Sequence, residues 1–145
     1  MLDVIINHQK KLNEIYKKID FLRENFDFEN QEAFFSELVD NAKELKNELE
    51  FHFNLQINAI TNEKVKKFIL ENMLVRDMLF RMLDFVIQKA QQNSTDAFLK
   101  LDDFDEIYRA YIKKEKGLFK ENLKSVLSDD EIEEIERKLE RIIEN

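Results

Sequence analysis

The sequence predicts an all-α fold, an antiparallel up-down-up-down four-helix bundle with a short C-terminal helix. Three observations lead there. The 145 residues contain no Pro and a single Gly, so the frequent tight turns of a β-rich fold have nothing to be built from. Apolar residues recur in steps of three and four over long stretches, the period of a helix with one buried face. The breaks between those stretches are short, and short connections favour antiparallel neighbours. The length suits one domain, residues 1–145.

The first helix is predicted over Leu2 to about Arg23, with the seam Ile5, His8, Leu12, Ile15, Ile19 and Leu22. Residues 27–30 form a connection. A second helix follows from about Gln31 to Ile60, along Phe35, Leu38, Ala42, Leu45, Leu49, His52, Gln56 and Ala59. Thr61 or Asn62 can cap the third helix. Its seam is Val65, Ile69, Asn72, Arg76, Leu79, Leu83, Val86 and Ala90, and the polar stretch 91–96 ends it. The fourth helix reads less cleanly: 96–101 look like a separate turn before the seam Phe104, Tyr108, Tyr111, Glu115 and Leu118. Ser128 and Glu131 have capping-box spacing. They start a last helix with Ile132, Ile135, Leu139 and Ile142 on one face. Phe51, Phe53, Met73, Met78 and Met82 read as core, and the acidic clusters 102–106 and 129–131 as helix starts.

Composition excludes whole classes of function. With no Cys there is no disulfide framework, thiolate metal site or Cys nucleophile. One Gly cannot form a phosphate-cradling loop. A net charge of −8 does not suit nucleic-acid binding. The sequence shows no membrane span and no basic, apolar leader, so a cytoplasmic protein without a membrane partner is expected. No nucleophile–base–orienter set is recognisable, hence no enzyme is expected. Two His bound the imidazole chemistry.

Each long helix carries polar residues where its seam should be apolar: His8, then His52 and Gln56, then Asn72 and Arg76, then Tyr111 and Glu115. Three of these sets are spaced i, i+4, one turn apart on one face. Buried polar groups must pair or bind something. In alternating helices these sets can form one layer.

The spacing resembles the hemerythrin-like (HHE cation-binding) family. Its pattern is a His on helix one, H-x-x-x-E on helix two, a His on helix three and H-x-x-x-E on helix four. His8 matches the first position, and residues 52–56 match the second with Gln56 in place of Glu. Asn72 stands where the third His belongs, with Arg76 one turn later. Residues 111–115 match the fourth motif with Tyr111 in place of His. The resemblance implies non-haem iron and the binding or sensing of a small diatomic ligand. Only His8, His52 and Glu115 keep full ligand character, so a mononuclear rather than a di-iron site is expected. Gln56, Tyr111 and Asn72 are weaker candidates. In the metal-free alternative, Arg76 pairs with Glu115 in place of a metal, and the domain is a structural or interaction module that binds a protein or a second copy.

Overall fold

Helix α1 spans Asp3–Glu24 and α2 spans Gln31–Ala59. The computed structural model describes residues 2–144 of the chain. Helix α3 covers Lys66–Gln91, α4 Asp96–Gly117, α5 Leu123–Val126 and α6 Asp129–Glu144. Among the described residues there is no strand, and no helix is long and apolar enough to cross a membrane.

Local chemistry sets the breaks. Asp27 accepts from the Glu29 and Asn30 nitrogens and starts a 3₁₀ turn, Phe28–Asn30, that feeds α2. Asn62 does the same for Glu63–Val65 ahead of α3 by accepting from the Lys64 amide. Helix α3 ends in a Schellman motif. Ser94 N–H donates to Lys89 C=O and Asn93 N–H to Ala90 C=O, with Asn93 left-handed at φ 55°. Asparagine tolerates that region better than most side chains. The predicted capping box is formed in both directions: Glu131 N–H donates to Ser128 Oγ at 3.2 Å, and Ser128 N–H to Glu131 Oε1 at 3.0 Å.

Successive long helices pack side by side, α1 on α2, α2 on α3 and α3 on α4, while α1 and α4 touch less extensively. The predicted seam residues on all four are buried, apart from Arg76 and the half-buried His8, and Gln9, Tyr16, Phe53, Leu55, Ala97 and Leu101 are buried beside them. Helix α6 lays Ile132, Ile135 and Leu139 against α1, α2 and α5.

Several expectations change. Residues 96–101 belong to one continuous α4, and the irregularity lies at its other end. There a π-helical turn, Leu118–Asn122, joins α4 to α5. That turn keeps Leu118, Phe119 and Leu123 buried under α6. Phe51 and Met78 are exposed rather than core. Asp102 and Asp105 sit inside α4, not at a helix start, and pair with Arg23 and Arg109.

The core is in two parts. One apolar cluster runs from Leu12 through Leu49, Leu79 and Phe104 to Tyr111. The other joins Leu2, Ile5, Leu55, Ile69 and Phe119 to the buried face of α6. Along each long helix, the change from one cluster to the other falls at the polar seam residues.

Candidate functional site

Among the described residues the buried polar side chains are Gln9, His52, Gln56, Asn72 and Glu115. They lie together, at the junction of the two apolar clusters. Glu115 is at the centre, 1% exposed. Its Oε1 accepts from His52 Nε2 at 2.5 Å and from Gln9 Nε2 at 2.8 Å. Its Oε2 accepts from Gln56 Nε2 at 2.6 Å and from the Tyr111 hydroxyl. Asn72 Nδ2 donates to Gln56 Oε1 at 3.0 Å, fixing that amide's orientation. All four long helices therefore contribute. Among the described residues no buried side-chain nitrogen or oxygen lacks a partner. That satisfies the strict requirement on polar groups in a core.

From His52 the bonds continue to the surface. His52 Nδ1 lies 2.9 Å from His8 Nδ1, and His8 Nε2 lies 3.0 Å from Glu48 Oε2. Lys11 pairs with the other Glu48 oxygen at 3.1 Å. The result is a linear run, Glu48–His8–His52–Glu115. Its three contacts each need one hydrogen. Two neutral imidazoles and two carboxylates bring only two, so the run holds one proton more. Burial, and then the nearness of His52, keep the His8 pKa below its ordinary value of 6.5.

Burial alone would raise the Glu48 carboxyl. The His8 and Lys11 hydrogen bonds outweigh it and hold the pKa below the ordinary 4.5. Both groups are thus depressed in the folded chain. The stability they contribute is present above 6.5 and 4.5 respectively, and is lost as the pH falls through the folded values. Charging His8 would also set N–H against N–H at the His8–His52 contact. Urea midpoints measured from pH 8 downward should fall below about pH 6.5. A His8→Asn variant should show a shallower slope there, and identical slopes would contradict the assignment.

The structure brings His8, His52, Gln56, Asn72, Tyr111 and Glu115 together, as the spacing predicts. It does not bring Arg76. That side chain lies at the flank of α3 and bonds Asp77 through Nε and Nη2, at 3.2 and 3.1 Å. Glu115 has His52 as its basic partner, and among the described residues nothing links it to Arg76. Sequence reasoning missed two members. Gln9 follows His8 directly, and Glu48 precedes His52 by one turn in a 48, 52, 56 row.

The donor set was expected to hold one metal through His8, His52 and Glu115. These three form a line, not a triangle. His8 meets one ring nitrogen of His52 and Glu115 meets the other, and those nitrogens point apart across the ring. One cation cannot take all three through these atoms. Tyr111 donates its proton instead of offering a phenolate, and Gln56 Oε1 is occupied by Asn72. Among the described residues no group of three or more His, Asp or Glu is placed to hold a metal ion. The arrangement does not fit a three-ligand iron centre.

The layer ties the buried Glu115 carboxyl through two imidazole rings to the half-buried Glu48. Its far edge, at Asn72 and Tyr111, lines a groove between α3 and α4 with Val75, Ile107 and Ala110. Comparison with protein-family models, with curated proteins and with solved structures returns no match.

Proposed function

We propose that this chain is a divergent hemerythrin-like domain, an antiparallel four-helix bundle that carries no resident metal and works as a protein-interaction module. The carrying observation is the self-satisfied polar layer. It occupies the positions where the resembling family places its ligands, yet among the described residues no buried side-chain nitrogen or oxygen lacks a partner within the chain. In this reading the His52 ring, hydrogen-bonded to the Glu115 carboxyl, fills the place that a metal and its ligands would otherwise take. The surrounding amides and the Tyr111 hydroxyl complete the coordination of charge.

The test is elemental analysis of chain purified from iron-replete cells, followed by titration with ferrous iron. The expected result is far less than one metal per chain and a melting temperature unmoved by chelator. Stoichiometric iron, lost in His52→Ala while the fold is kept, would overturn the reading. A variant carrying Gln56→Glu, Asn72→His and Tyr111→His should take up iron if the scaffold belongs to that family. Its failure to do so, while folded, would count against the family assignment.

A further inference from the structure

A groove of about 650 Å³ runs between α1 and α4, the neighbouring pair that packs least closely. Its charge runs against that of the chain. The whole protein has a net charge of −8, yet Lys10, Lys17, Arg109, Lys113 and Lys116 line this groove against only Glu14 and Asp20. Arg109 is committed, because it bonds Asp105 at 2.7 Å and Asp20 at 3.2 Å. The four lysines are not: none of them bonds a carboxylate among the described residues. They stand in two rows, Lys10 and Lys17 on α1, Lys113 and Lys116 on α4.

Between the rows the wall is mostly carbon, with Ile112 and the Tyr16 and Tyr108 rings beneath. Those rings are 4.5 Å apart, and their hydroxyls are turned to Asp105 and Asn13. Tyr16 is 4% and Tyr108 1% exposed, so the accessible carbon of the groove is Ile112 and the lysine stems, backed by the two rings. From Lys10 to Asp20 the groove follows α1 for about 15 Å, at 1.5 Å per residue.

We propose that this groove receives an acidic amphipathic helix of a protein partner. An apolar stripe on that helix would lie on Ile112 and the lysine stems, and carboxylates on either side of the stripe would meet the two lysine rows. A small phosphate compound fits less well, because the cations are spread along the groove instead of converging on one point. A second copy of this chain fits less well too. Its acidic helix α6 has its apolar face already buried. The proposal rests on the reading that the domain works by protein recognition, and it names the partner's chemistry.

The probe is a fluorescein-labelled helical peptide with a leucine stripe flanked by glutamates, titrated with the intact chain and followed by anisotropy. Two control peptides replace the glutamates by lysines or scramble the stripe. The acidic amphipathic peptide alone should bind, more weakly at raised salt. Reversal of exposed charges in Lys17→Glu/Lys113→Glu/Lys116→Glu should lower affinity roughly tenfold or more with an unchanged circular dichroism spectrum. Lys43→Glu/Lys67→Glu, on α2 and α3, should leave it unchanged. Equal binding of the scrambled peptide, equal loss in the control variant, or undiminished binding by the groove variant would overturn the proposal. Displacement of the peptide by inorganic triphosphate at lower concentration than the peptide itself would overturn it as well, in favour of a small polyanion. These outcomes are independent of the iron titration. Stoichiometric iron fails the earlier reading, whereas a metal-free chain that ignores the peptide fails this proposal alone.

Discussion

Glu115→Ala is expected to lose several kcal/mol of stability, about 1–3 kcal/mol for each buried donor left without an acceptor. The carboxylate is 1% exposed and accepts from four side chains on three other positions of the layer and on its own helix. Alanine would leave His52 Nε2 and the Tyr111 hydroxyl without an acceptor, and Gln9 and Gln56 with only their longer bonds to Ile112 C=O at 3.4 Å and the Tyr111 hydroxyl at 3.2 Å. The new space is too enclosed to restore their hydration fully. Glu115→Gln keeps the shape and one acceptor oxygen, so its loss should be smaller. Replacing both His52 and Glu115 by leucine removes the stranded charge and should be milder than Glu115→Ala. Urea denaturation at neutral pH, followed by circular dichroism, measures all three. A Glu115→Ala loss below about 1 kcal/mol would mean that the layer is not satisfied as described.

Phe104→Ala should cost a similar amount, about 3–5 kcal/mol, by a different route. Phe104 is fully buried in the larger apolar cluster. Its ring lies 5.6 Å from Tyr108 and 5.9 Å from Tyr16. Truncation removes the apolar burial and leaves a cavity that two tied tyrosines cannot collapse into, since Tyr16 is held by Asp105 and Tyr108 by Asn13. Urea midpoints provide the stability change. Because both tyrosines also back the α1–α4 groove, peptide binding there should weaken in the same variant. A loss near that of a surface substitution would show that the cluster repacks freely.

Much of the fold was legible because its signals are local. The three- and four-residue periodicity, the Ser128–Glu131 box and the polar break around Asn93 each act within a few residues. Residues 96–101 read as a separate turn because Phe98 and the exposed Leu99 are apolar yet lie off the buried stripe of Ala97 and Leu101, which blurs the helical period. The π-helical turn at Leu118–Asn122 was not read, because a one-residue change in winding leaves no compositional mark. The polar layer was legible as a coincidence of seam interruptions, but its bonding was not. Arg76 shows why. The buried stripe of α3 passes from Asn72 to Leu79, and both Val75 and Arg76 fall on its flanks. The i, i+4 rule places Arg76 beside Asn72 along the helix without deciding how far the side chain turns inward. Glu48 was missed for a related reason. A carboxylate one turn before a seam histidine reads as solvated surface until the facing helix is known.

The polar layer also fixes how the helices align along their length. Apolar seams of leucine, isoleucine and phenylalanine tolerate sliding, since one aliphatic side chain can replace another a turn away. The Glu115 acceptors and the His8–His52 contact do not. Shifting α1 by one turn, about 5.4 Å, would carry His8 and Gln9 away from their partners and strand a buried carboxylate among leucines. The layer therefore acts as an index mark between two otherwise slippery halves, selecting one axial register for all four long helices.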